Sequence, residues 1–141
     1  ELLGKTAIAN AALAYDLFEQ KSSTSAWKEL EKAGAHMQRP LWASTGVKDP
    51  AYDDTRYVID LVAPHTVNTM PQGTLDAVID HGTFKGNTIS GTYEAARAVM
   101  VGLDAQGVSL NEVTEELEAD GVKKFAQAWE SLLESVEKAA Q

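Results

Sequence analysis

The 141-residue sequence predicts an α/β fold, rich in helix around about two parallel strands, from three observations. Leu41, Trp42 and Ala43 form a short uninterrupted apolar run, the pattern of a parallel strand covered on both faces. A second short strand, over 66–70, follows the Asp60-Leu-Val-Ala-Pro64 segment. Most of what remains carries apolar residues at helical spacing.

Taken in order, Leu3, Ile8, Ala11, Ala14, Tyr15 and Phe18 place a helix over 2–20. One hydroxyl of Ser22-Ser-Thr-Ser25 caps a second helix containing Trp27, Leu30 and Ala33, which Gly34 stops. The first strand runs from Pro40 to Ser44. An irregular stretch, 51–55, leads to a short helix, 56–62, giving a β/α unit with a long loop. The second strand ends at Pro71, which has no amide to leave unsatisfied and suits the first turn of a helix over 72–81. Gly82 ends that helix, and the glycine-punctuated linker 84–91 is expected to cross the surface. Three helical segments close the chain. Thr92 caps the first, with Val99, Val101 and Leu103 in its body and Gly107 as its stop. Ser109 and Glu112 form a capping box that opens the second, Val113 to Leu117. The third starts near Val122 and aligns Phe125, Trp129, Leu132, Leu133 and Val136 on one stripe, with Phe125 and Trp129 expected in the core.

The candidate chemistry lies where the first strand meets solvent. Ser44, Thr45, Gly46 and Lys48 follow Leu41-Trp-Ala43 directly, and in open α/β sheets and (β/α)8 barrels ligands sit at that carboxyl end. A serine hydroxyl, a glycine that lets backbone amides approach and a point-charge lysine are what a phosphate monoester needs. The same residues also fit an ordinary strand-to-helix turn with a serine N-cap and a solvated lysine. Asn68 and Thr69 end the second strand, where side chains can face a pocket; strand-end Asn and Thr also serve local backbone groups. Asp49, Asp53 and Asp54 flank the loop, and capping suits them better than metal binding, since carboxylates beside a phosphate oppose it unless a metal intervenes. His36, His65 and His81 have no metal-ligand spacing, and no metal site is expected.

With 12 Lys+Arg against 21 Asp+Glu and a net charge of −9, the chain is a poor match for nucleic acid or anionic membranes, whose partners cluster cations. It has no cysteine, which excludes disulfides, thiolate catalysis and cysteine-ligated metals. No segment approaches the ~18 uninterrupted apolar residues of a membrane span.

The run Pro-Leu-Trp-Ala-Ser-Thr-Gly-Val-Lys-Asp-Pro-Ala-Tyr at 40–52 and Ala-Pro-His-Thr-Val-Asn-Thr-Met-Pro at 63–71 resemble the last two β/α units of transaldolase, in the variety common in high-GC Gram-positive bacteria. The segment from Asp120 to Leu133 is similar to that family's C-terminal helix, so the resemblance covers essentially the whole chain. It implies the C-terminal part of a (β/α)8 barrel. It also implies transfer of a dihydroxyacetone unit between sugar phosphates in the pentose phosphate pathway, through a lysine Schiff base and without a cofactor. In this family the lysine is on the fourth strand, an aspartate and a glutamate on the first and third assist proton transfer, and an arginine after the sixth helps hold the phosphate. None of these segments is expected within this sequence, so no catalytic residue is assigned here. Ser44 falls on the family's phosphate-binding serine. Where many relatives have a cation two residues later, this chain has Gly46, and its first cation is Lys48. The resemblance further implies a cytoplasmic location, and a C-terminal helix that folds over the barrel mouth.

On this reading 1–35 holds the helices preceding the seventh strand, 39–81 the last two β/α units and 92–141 the closing helices. The sequence begins without methionine, inside an apparent helix, and is expected to be the C-terminal part of a longer polypeptide. Two strands cannot close an eight-stranded barrel, and their open edges would call for the missing barrel half, a partner copy or domain swapping. The expected partners are therefore sugar phosphates, that missing half and, as a candidate, a homo-oligomer. The rival reading is a non-catalytic, acidic, helix-rich interaction module; it leaves two polar strand ends without a purpose.

Overall fold

A computed structural model describes residues 2–140; Glu1 and Gln141, which the expected segments 1–35 and 92–141 include, lie outside the described residues. Two compact units divide the chain, Glu1–Gly102 and Leu103–Gln141. The first carries α1 (Thr6–Ser22), α2 (Ser25–Lys32), β1 (Leu41–Trp42), α3 (Arg56–Ile59), β2 (Val67–Asn68), α4 (Gln72–His81) and most of α5 (Tyr93–Ala105). β1 and β2 pair in parallel, with Leu41 opposite Val67 and Trp42 opposite Asn68. The α/β class and the two parallel strands agree with the sequence reading, but β1 is not covered on both faces as its apolar run suggests: Leu41 is 53% exposed and Ala43 is exposed, since an apolar run carries no information about what packs on each face.

Both strands are shorter than expected, because the backbone leaves the extended region close to their ends. His65 turns into the left-handed region (φ 61°) just before β2, and Ser44 does the same (φ 55°) just after β1. α1 begins at Thr6 rather than Leu2. Gly4 is left-handed (φ +72°) and lies so close to the Tyr52 ring that a Cβ there would stand 2.7 Å from it, so residues 2–5 form a turn and Leu3 is exposed. The Arg56 guanidinium donates to the Gly4 carbonyl at 2.5 Å and fixes this turn against α3. Thr24 is the hydroxyl that caps α2, accepting from the Trp27 amide at 3.2 Å. Pro71 proves to be the N-cap of α4, with extended backbone, one position before the expected one. α4 ends at Gly82, where the backbone turns extended (φ −60°, ψ 127°); a Cβ there would stand 2.5 Å from the Val78 carbonyl, so the position takes glycine.

The core of this unit joins Ala9, Ala12 and Tyr15 of α1, Leu61 after α3, Ile89 of the 84–91 linker and Ala96 of α5. α1 and α5 contribute small residues to this core, and the Tyr15 hydroxyl donates to the Pro64 carbonyl at 3.0 Å. The linker 84–91 does more than cross the surface. Ile89 is 1% exposed, and Thr88 is stitched to the end of α3 by exchange with Val62, amide to carbonyl at 2.9 Å and hydroxyl from amide at 3.1 Å. Thr92 does not accept from the helix it precedes; its hydroxyl donates to the Ile89 carbonyl at 2.7 Å.

In the second unit, the two expected C-terminal helices are one, α6 (Leu110–Ala139), capped by Ser109, whose hydroxyl accepts from the Glu112 amide at 3.3 Å. Gly121 costs a helix about 1 kcal/mol relative to alanine, too little to break thirty residues of continuous hydrogen bonding. The Asp120–Lys124 pair at 2.6 Å spans the same turn. Phe125 and Trp129, expected in the core, are exposed at 83% and 60%: their stripe has helical spacing, but α6 has no buried residue among those described. Among the described residues no helix is long and apolar enough to cross a membrane.

Candidate functional site

Parallel pairing brings the carboxyl ends of β1 and β2 to the same end of the sheet, so Ser44–Gly46 and Asn68–Thr69 become neighbours although they are more than twenty positions apart. Up to Trp42 the ladder is regular: the Val67 amide donates to the Pro40 carbonyl and the Thr69 amide to the Trp42 carbonyl, each at 2.9 Å. The next donor in a regular parallel ladder is the Ser44 amide. The donor found is Thr45, whose amide reaches the Thr69 carbonyl at 3.3 Å. The left-handed turn at Ser44 has inserted one residue, in the manner of a bulge, and such insertions re-aim side chains.

The consequence is a division of labour among the predicted site residues. Thr45 is buried, and its hydroxyl donates to Asn68 Oδ1 at 2.6 Å and lies 3.2 Å from the Thr69 carbonyl, so both its donors are turned toward β2. Asn68 in turn donates through Nδ2 to the Tyr57 carbonyl of α3 at 3.1 Å. Ser44 is exposed, and among the described residues its hydroxyl makes no hydrogen bond. Gly46 lies against the start of α4, where a Cβ would stand 3.0 Å from Pro71 Cγ. A side chain there would strain against that proline, which gives a physical reason for glycine at this position.

Ser44, Thr45 and Gly46 share one wall of a cleft of about 340 Å³, closed on other sides by Ala7 and Ala11 of α1 and by Tyr57 and Leu61. Trp42 lines it as well and is held by its indole N–H donating to the Leu61 carbonyl at 3.0 Å. Lys48, Asn68 and Thr69 are not among its walls. Lys48 is exposed and forms no ion pair among the described residues. Thr69 is exposed, with its carbonyl serving Thr45.

The acidic residues near the loop are occupied locally. Asp49 accepts from the Ala51 amide at 2.9 Å, and Asp53 from the Thr55 amide at 2.8 Å and hydroxyl at 2.6 Å, which holds the Asp53 carboxyl below its ordinary range. Asp54 joins His81, at the end of α4, at 2.8 Å, and Asp80 flanks the other ring nitrogen at 3.1 Å. Hydrogen bonding first to Asp54 and then to Asp80 raises the His81 pKa above its ordinary value. Sequence reasoning missed this clasp and the Tyr57 carbonyl. One joins residues 27 positions apart, and the other is a main-chain atom that every residue possesses.

Comparison with known proteins gives this geometry its context. The family model described as "Transaldolase/Fructose-6-phosphate aldolase" matches residues 1–136. A protein named transaldolase from Thermobifida fusca is 58% identical over 135 residues, 96% of this chain and 37% of its own length. Transaldolase 2 of Streptomyces avermitilis is 56% identical over 95% of this chain and 36% of its own, and the transaldolase of Renibacterium salmoninarum 56% over 98% and 37%. The chain thus spans little more than a third of the length of these relatives. A match over nearly the whole chain, joined to two parallel β/α units of the kind that build (β/α)8 barrels, establishes that the chain belongs to the transaldolase/fructose-6-phosphate aldolase family.

Proposed function

We propose that this chain is the C-terminal part of a transaldolase, supplying the seventh and eighth strand units of the barrel and the helices that close it. Its share of the reaction is to hold the phosphate of the sugar. The observation that carries this reading is the break at Ser44. A strand of a transaldolase-family chain ends in a left-handed serine whose hydroxyl is unengaged and exposed, beside a glycine lining the same cleft. Ser44 would donate its hydroxyl to a phosphate oxygen, Gly46 its amide, and Lys48 a mobile positive charge that can swing toward the anion.

In the proposed reaction the amine of a lysine outside residues 1–141 attacks the carbonyl of sedoheptulose 7-phosphate and loses water to give an iminium. A carboxylate outside residues 1–141 takes the C4 hydroxyl proton as the C3–C4 bond breaks, releasing erythrose 4-phosphate and leaving the electron pair delocalised into the iminium, and it returns that proton to the new hydroxyl in the addition step. C3 then adds to the aldehyde of glyceraldehyde 3-phosphate, and hydrolysis yields fructose 6-phosphate. The iminium itself accepts the electron pair, so the scheme needs neither metal nor organic cofactor. Phosphate binding several bonds from the reacting carbons orients the carbonyl before attack. Segments 1–35, 39–81 and 92–141 retain the roles given above, and the pentose phosphate pathway and the cytoplasm follow as its setting.

Borohydride trapping with fructose 6-phosphate followed by intact mass measurement tests this. The whole protein should gain one sugar adduct on a lysine outside this sequence, and the 15.2 kDa chain alone should gain none. A whole protein that traps no sugar overturns the reading in favour of a non-catalytic module.

A further inference from the structure

Building on the proposed phosphate site, we propose that Asn68 is a positioning residue for it: acting through Thr45, it holds Ser44 in the left-handed conformation that presents Ser44 and Gly46 to the cleft. The direction of each hydrogen bond carries the argument. The Tyr57 carbonyl can only accept, so it takes the Asn68 NH2 at 3.1 Å and thereby turns Asn68 Oδ1 toward Thr45. That oxygen can only accept, so it takes the Thr45 hydroxyl proton at 2.6 Å. The Thr45 amide is drawn to the Thr69 carbonyl at 3.3 Å, the place a regular ladder gives to residue 44.

With residue 45 fixed on that carbonyl and Trp42 fixed one step earlier on the Thr69 amide, the intervening chain has one residue too many. Ser44 takes up the excess at φ 55°, a conformation unfavourable for a non-glycine residue, which persists where surrounding bonds over-determine it. Thr45 is 7% exposed and both its donors are spent, so it supplies no donor to a phosphate. Asn68 spends its carbonyl oxygen on Thr45 and one amide N–H on the Tyr57 carbonyl, and it does not line the cleft. Thr45, read from sequence as a phosphate ligand, and Asn68, read as a pocket residue, thus form a latch beneath Ser44 and Gly46 that ties the phosphate loop to α3.

The test uses the whole protein and two readouts that a purely structural role would leave alone: the inhibition constant of inorganic phosphate, and the ratio of kcat/KM for fructose 6-phosphate to that for unphosphorylated fructose. Thr45→Val keeps the shape and removes the hydroxyl; Asn68→Ala removes the hinge of the latch; Thr45→Ser restores the hydroxyl. The expected result is a rise of about tenfold in the phosphate inhibition constant, with an equal fall in the ratio, for Thr45→Val and Asn68→Ala, and recovery in Thr45→Ser, as for losing one well-placed hydrogen bond. Should Asn68→Ala fail to fold, the near-isosteric Thr45→Val decides. Variants that melt earlier yet keep the wild-type phosphate constant and ratio overturn the positioning role alone. A wild-type protein indifferent to phosphate on either readout overturns the phosphate site and this inference with it.

Discussion

The Thr45 hydroxyl donates to Asn68 Oδ1 at 2.6 Å, joining the first residue beyond the Ser44 break to the last residue of β2. Because Asn68 donates to the Tyr57 carbonyl on its other side, Asn68→Asp exchanges an N–H for a second oxygen facing that carbonyl. The loss should cost about 1–3 kcal/mol, the penalty for leaving a partly buried acceptor unpaired against another. Urea unfolding of the two proteins measures it. An unchanged midpoint would mean that the Tyr57 contact is dispensable.

Ser44 combines a strained backbone with a free hydroxyl, and two substitutions separate those properties. Ser44→Gly relieves the left-handed conformation while Ser44→Ala keeps it, so the glycine variant should be the more stable by about 1 kcal/mol. Both lose the hydroxyl, and both should weaken phosphate inhibition. Thermal melts with and without phosphate check the two effects side by side.

Ile89 sits at the centre of the core although it belongs to a segment with no regular structure. Ile89→Ala should destabilise the unit by about 2–5 kcal/mol, the range for truncating a fully buried aliphatic side chain. A cost under about 1 kcal/mol, measured by the same urea titration, would put this linker outside the cooperative unit.

The clasp of His81 with Asp54 and Asp80 gives stability a pH dependence of known sign. Its pKa is raised in the folded chain above its ordinary value, mainly by hydrogen bonding to Asp54 and then to Asp80, so the folded state binds the proton more tightly than the unfolded one. The stabilisation is fully present below the unfolded pKa and is lost as pH rises through the folded one. Melting temperature followed upward from pH 6 should fall more in the wild type than in His81→Gln. Equal slopes would contradict the clasp.

Elements set by local chemistry were legible in the sequence. Thr24 and Ser109 cap their helices through bonds spanning three residues, and Leu41-Trp42 read as a strand from its own apolar run, although not as the half-open one it is. What sequence could not reveal depended on distant partners. Gly4 interrupts the expected first helix because Tyr52 lies against it, Ile89 is buried because Thr88 is tied to α3, and Thr45 turns inward because Asn68 waits on a strand twenty-three positions away. Phe125 and Trp129 illustrate the converse. Helical spacing identified their shared face, but spacing carries no information about what covers it. Ser44 was legible as a residue type at a strand end; its left-handed backbone was not, since that follows from the pairing of residues on both sides of it.

The most direct measurement of the central claim is the concentration of fructose 6-phosphate that half-saturates borohydride trapping, in the whole wild-type protein and in Ser44→Ala. The account predicts one covalent adduct per protein in both, with half-saturation about tenfold higher in the variant, because the residue supplies binding and not the reacting amine. Identical half-saturation would remove Ser44 from phosphate recognition, and the absence of any adduct in the wild type would remove the chain from Schiff-base chemistry altogether.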